Sequence, residues 1–179
     1  KVTVEIKRQD IKQIIEIVRK KIEINPVPHY AMLDDEVGYI SFTKFNKKAS
    51  NEVKKAFLAL KDEGMKKLII DVRSNPGGLL NEAVNIANFF IPKDKIIVTT
   101  RAKIEKWSNT FKTRFKPIDL EIPIVVLVNK RSASASEILA GSLQDYDRAV
   151  IIGERSFGKG LVQRYRSLSY VTQMKLTIS

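Results

Sequence analysis

The sequence predicts an α/β fold: a mainly parallel layered sheet with flanking helices. Two observations carry that expectation. Short continuous apolar runs at 68–72, 122–128 and 149–152 have the length and β-branched content of buried strands. Before and between them, apolar residues recur at helical spacing, as in Val53, Ala56, Phe57 and Leu60, and again in Leu80, Ala83, Val84 and Ala87. Buried strands alternating with helices pack as layers around a parallel sheet.

The elements follow in order. Residues 2–8 and 11–18 alternate in polarity and read as two strands around a turn at Gln9-Asp10. Asn25-Pro26-Val27-Pro28 marks a break. Residues 36–43 alternate like a strand. The helix over 50–63 is closed by Gly64, which readily takes the left-handed C-cap conformation. After the strand at 68–72, Leu80, Ala83, Val84, Ala87 and Phe90 define a helix over 79–90 that Pro92 stops. Residues 95–115 read as a hairpin. The strand at 122–128 is followed by a helix over about 134–144, the strand at 149–152 and a strand-like stretch over 161–168. The chain starts inside one alternating run and stops inside another, at 170–178, so it reads as an excised piece of a longer protein.

Composition narrows the chemistry. The 179 residues are 44% apolar and 29% charged, which suits a folded domain. With no cysteine, disulfides, thiolate catalysis and Cys-built metal sites are excluded. The single histidine, His29, sits in a Pro-flanked stretch without a motif and reads as a surface or capping residue. No apolar run approaches the roughly 20 residues that span a bilayer. The net charge of +12 is spread along the chain in short pairs such as Lys54-Lys55, so it reads as a solvated surface, and no nucleic-acid partner is expected.

Three segments can carry chemistry. Asp71-Val72-Arg73-Ser74-Asn75-Pro76-Gly77-Gly78 follows a buried strand, where open α/β sheets bind ligands. Its glycines let backbone approach a ligand, yet the same residues make an ordinary turn. Ser132-Ala133-Ser134-Ala135-Ser136-Glu137 lies between a strand and a helix. A serine there meets the helix's free N–H groups, which suits a developing oxyanion. Ser134 and Glu137 equally fit an S-x-x-E capping box. Gly153-Glu154-Arg155-Ser156-Phe157-Gly158-Lys159-Gly160 is close to a phosphate-binding P-loop. It lacks the Ser/Thr after the lysine, and a strand follows where a helix should start, so neither nucleotide nor other cofactor is expected. A nucleophilic serine needs a base, and His29 is poorly placed. A lysine does that work as a neutral amine, which apolar surroundings favour. Lys159 stands between glycines, close in sequence to Phe157, Leu161 and Val162.

Residues 126–145 (V-L-V-N-K-R-S-A-S-A-S-E-I-L-A-G-S-L-Q-D) closely resemble the catalytic serine segment of the C-terminal processing peptidases, or tail-specific proteases. Residues 150–163 (V-I-I-G-E-R-S-F-G-K-G-L-V-Q) resemble their lysine segment, and Asp71 to Gly78 their D-x-R-x-N-P-G-G turn. The resemblance implies Ser134 as nucleophile, Lys159 as base and Gln163 as the residue that orients the lysine. It implies an oxyanion hole from the Ala135 N–H and one of the paired glycines, Gly78 in preference to Gly77. Asp145, Glu137 and Ser156 match supporting positions, and no metal is called for.

In this family a PDZ peptide-binding module precedes a ClpP/crotonase-like core. Residues 1–21 resemble the last strands of that module, truncated, and 22–179 the protease core, incomplete at its C-terminal end. The implied protein is a Ser–Lys serine endopeptidase of the bacterial cell envelope. It would cleave protein or peptide substrates near apolar C-terminal tails through an acyl-enzyme; monomer and homo-oligomer both stay open. The rival reading is a catalytically silent peptide-binding scaffold, or an inactive fragment of the protease.

Overall fold

A computed structural model describes the backbone of every residue except Lys21, Val171 and Ser179, and every other side chain except that of Arg164. The expected strand at 170–178 therefore includes one residue, Val171, outside the described residues. Strands β1 (Val2–Arg8) and β2 (Ile11–Ile17) form an antiparallel hairpin. Both of its turn residues, Gln9 and Asp10, have positive φ, as a tight two-residue turn requires. Then come β3 (His29–Met32), β4 (Val37–Ser41), helix α1 (Ala49–Asp62), β5 (Lys67–Asp71) and α2 (Leu80–Ala87). Strands β6 (Ile96–Thr100) and β7 (Asn109–Lys112) make a second hairpin, with a 3-10 turn at Glu105–Trp107 between them. The chain continues through β8 (Ile124–Val128), α3 (Ala135–Asp145), β9 (Ala149–Gly153), β10 (Gln163–Ser167) and β11 (Gln173–Thr177).

The central sheet has the order β3-β4-β5-β8-β9. Strands β4, β5, β8 and β9 run parallel and β3 antiparallel, so the sheet is mixed at one edge. The expectation of a surface residue at His29 agrees with the structure. The same residue opens β3, which the prolines at 26 and 28 had hidden. The helix expected over 79–90 is shorter. After Ala87 the chain tightens into turns, with the Phe90 N–H bonded to the Ala87 carbonyl at 3.1 Å.

Residues two apart in a strand share a face. Ile40, Leu68, Ile70, Ile124 and Val126 lie on the face that packs against the helices and are almost fully buried. They meet Val53, Phe57 and Leu60 of α1, Ile86 of α2 and Leu139 of α3 in one core. At Gly38 a Cβ would meet the buried Met65 side chain, which would have to shift to admit one. The opposite face is only partly covered at Ile69, Val125 and Leu127, and open at Val150 and Ile152. The runs at 68–72 and 122–128 are thus buried on one face and half-buried on the other, whereas the run at 149–152, expected as a buried strand, is largely open to solvent.

Candidate active site

Strands β5 and β8 are parallel neighbours, so the turns that leave their carboxyl ends emerge side by side. Asn75 ties those turns together. Its Nδ2 donates to the Phe42 carbonyl at 2.8 Å, and its own carbonyl accepts from the Ala133 N–H and the Ser136 Oγ. The Ser132 Oγ donates to the Val72 carbonyl at 2.7 Å, and the Ser74 N–H to Asn129 Oδ1 at 2.8 Å. Asn75, Ser132 and Ser136 are all fully buried. Each bond joins the turn after β5 to a neighbouring segment, so the two turns behave as one unit.

Ser134 sits at the N-cap of α3 with φ 58 and ψ −114, outside the regions that a serine ordinarily occupies. Such a conformation persists only where the surroundings impose it, and it often marks a functional turn. Gly77 presses on that turn. A Cβ on it would lie 2.5 Å from the Ala133 carbonyl oxygen and 2.9 Å from the Ser134 Cβ. The two glycines differ in their amides. The Gly77 N–H is taken by Asn75 Oδ1 at 2.9 Å. Gly78 forms a parallel bridge with Phe45, in which Phe45 bonds to the Gly77 carbonyl and the Leu79 N–H. That geometry turns the Gly78 N–H away from Phe45. Neither it nor the Ala135 N–H has an acceptor among the described residues.

Glu137 links the serine turn to the lysine loop. Its Oε2 accepts the Ser134 N–H at 2.7 Å and the Lys159 N–H at 2.9 Å. Its Oε1 accepts the Ser156 Oγ at 2.7 Å and the Gly158 N–H at 2.6 Å. Burial pushes this carboxyl up, but the four hydrogen bonds outweigh burial and hold it below the usual carboxylate range. The Gly158 and Lys159 amides are therefore bound to a carboxylate rather than free to cradle a phosphate. No helix follows the loop, so the P-loop likeness has no structural counterpart.

Ser134, Lys159, Gln163, Gly77 and Gly78 all line one groove of about 1090 Å³. Lys159 is half-buried, with Phe157 and Leu161 exposed beside it. The strand expected over 161–168 begins only at Gln163, so Lys159 and Leu161 lie in the loop before β10. The Gln163 amide donates to Thr177 Oγ1 at 3.4 Å. Asp145 is exposed at the last residue of α3 and does not line the groove. Among the described residues no group of three or more His, Asp or Glu side chains could hold a metal. Sequence reasoning missed Asn75 as a separate functional position, although it stood within the quoted turn motif.

Asp71, in the same motif, does different work. It accepts from the Tyr39 hydroxyl and from Arg73, each at 2.7 Å. Burial pushes the Asp71 carboxyl up, and these partners bring it below its ordinary range.

Known proteins resemble this chain over most of its length. The family model for peptidase family S41 matches residues 36–179. The chain is 38% identical over 180 residues to a "Probable CtpA-like serine protease" of Staphylococcus aureus, covering 98% of this chain and 35% of that protein. It is 37% identical over 183 residues to a "Carboxyl-terminal-processing protease" of Picosynechococcus sp., covering 99% of this chain and 42% of that one. The chain thus spans less than half the length of these relatives. Among solved structures, a photosystem II D1 C-terminal processing protease aligns with a TM-score of 0.73 at 31% identity, over 93% of this chain and 46% of that one. An S41 protease structure from Bacteroides fragilis aligns at 0.75 with 16% identity, covering 98% of this chain and 52% of that one; it supports the fold alone.

Proposed function

The chain belongs to peptidase family S41, a family of serine-type peptidases, and on that premise we propose that Ser134 is the nucleophile and Lys159 the general base. The supporting observation is the shared acceptor: one oxygen of Glu137 holds the backbone N–H of both residues, and both side chains face one groove.

Ser134 Oγ attacks the peptide carbonyl while its proton passes to the neutral Lys159 amine. The oxyanion is held by the Ala135 and Gly78 N–H groups. The C–N bond breaks as Lys159 returns the proton to the leaving amine. Water then gives a proton to Lys159 and attacks the ester, and Ser134 is released with that proton. In this mechanism Gln163 swings from Thr177 to the lysine once substrate fills the groove.

The longer protein acts on protein substrates with apolar C-terminal tails, in the bacterial cell envelope. Residues 1–21 are the last strands of its PDZ module and 22–179 belong to a ClpP/crotonase-like core. The hairpin supports that division, since Ile11, Ile15 and Ile17 lie exposed on one of its faces as a surface made to be covered. The second reading is a silent peptide-binding scaffold, and the Gln163–Thr177 contact is the observation in its favour.

Cleavage of an unfolded reporter with an apolar tail, from about pH 6 to 10, separates the two readings. The dyad requires losses of roughly 10³-fold or more in Ser134→Ala and in Lys159→Ala. Cleavage at the wild-type rate in either variant would exclude that residue from the chemistry.

A further inference from the structure

We propose that the groove selects peptide substrates carrying acidic side chains next to their apolar residues; the inference rests on the groove being the peptidase site. Beyond Lys159, the groove is lined by Lys44, Lys47, Arg101 and Lys175. No Asp or Glu lines it among the described residues. Away from the groove, carboxylates hold several of the bases. Glu23 holds Lys48, Glu36 holds Lys66 and Lys67, Asp119 holds Lys61 and Asp71 holds Arg73. The contrast is sharpest between adjacent residues, because Lys48 is paired and Lys47, facing the groove, is not.

The four cations come from three separate parts of the fold: the loop after β4, the end of β6, and β11. All of them line the same groove. All four are exposed, and among the described residues none forms an ion pair. The same groove is also lined by apolar side chains, among them Leu79, Val98 and Ile138. An extended peptide fits this arrangement: its apolar residues meet these side chains and its carboxylates the cations. A lining of one sign with no internal counter-charge concentrates ligands of the opposite sign, and the effect weakens with salt. Each exposed pair contributes little, so selectivity comes from several acting together.

The test uses three fluorescent peptides with the same apolar residues and with Asp, Asn or Lys at four flanking positions. Binding to the Ser134→Ala protein is read by anisotropy at about 50 mM and 300 mM salt. The Asp peptide binds roughly tenfold more tightly than the Asn peptide at low salt, the Lys peptide binds more weakly than either, and high salt narrows the range to about threefold. The triple variant Lys44→Gln, Lys47→Gln, Arg101→Gln removes most of the preference. Equal binding of all three peptides overturns the inference, as does a preference that survives the triple substitution. Tighter binding of an oligothymidylate of equal charge also overturns it, by making the groove a nucleic-acid track. Cleavage by the unsubstituted protein keeps the two readings apart. Charge-selective binding without cleavage refutes the dyad and leaves this inference standing. Ser134-dependent cleavage of all three peptides at one rate, with equal binding, does the reverse.

Discussion

Gly77 carries no side chain because the Ser134 turn leaves no room for one. A methyl group would meet the Ala133 carbonyl oxygen at 2.5 Å and the Ala135 nitrogen at 2.8 Å, at a φ of 89 that disfavours any L side chain. Gly77→Ala must displace the serine turn or its own. Peptidase activity should fall by about 100-fold or more, since a shift of this size removes the alignment of nucleophile and oxyanion donors. Steady-state cleavage of the apolar-tail reporter measures it. Asn75 is the complementary case. Asn75→Ala strands the Phe42 carbonyl and the Gly77 N–H in a buried site. It should lower stability by about 2–4 kcal/mol, read from urea unfolding midpoints. Both residues were visible in the motif at 71–78. The resemblance already favoured Gly78 over Gly77; what the sequence could not reveal is the bonding behind that difference, with the Gly77 N–H taken by Asn75 and Phe45 bridging Gly78.

Among the elements, the serine turn, α3 and the loop after β9 are joined by Glu137. The S-x-x-E pattern was readable as a helix cap, and its carboxylate does return to the Ser134 N–H. The other three bonds, to Ser156, Gly158 and Lys159, arise from a loop about twenty residues away that only the tertiary fold brings near. Glu137→Gln places a donor where the carboxylate accepts, and should cut kcat by roughly 10-fold to 100-fold with little change in KM. The carboxyl is held below its unfolded value, so its contribution to stability is complete above the ordinary carboxylate range and is lost as pH falls through the depressed value. Thermal unfolding of the wild type should therefore lose an acid-side increment that Glu137→Gln lacks. Equal pH dependence in both proteins would contradict the role given to this carboxylate. The strands and helices were largely legible, since periodicity of 2 or 3.6 is a local signal. β3 was not, because Pro26 and Pro28 masked a four-residue edge strand that is specified by its pairing with β4. One-sided burial of the parallel strands was equally hidden, because an apolar run has the same appearance whichever face is covered.

For the molecule as a whole, the helices and central sheet share one core, while the β1–β2 hairpin pairs chiefly with itself. The chain after it is anchored differently, through Glu23 to Lys48 and the Ile24 carbonyl to Asn46. Removing residues 1–20 should thus leave the thermal midpoint within about 3 °C, because little core area is lost. Differential scanning calorimetry checks this, and a fall of more than about 10 °C would make the hairpin part of the core. The charge of +12 was plain from composition, whereas its unneutralised presence in the groove required the fold. The most direct test of the account is to trap the acyl-enzyme with an activated peptide ester and map the modified residue by mass spectrometry. The account predicts an acyl group on Ser134, absent in Ser134→Ala and formed at least about 100-fold more slowly in Lys159→Met. An acyl group on another residue, or Lys159→Met acylating at the wild-type rate, would contradict it.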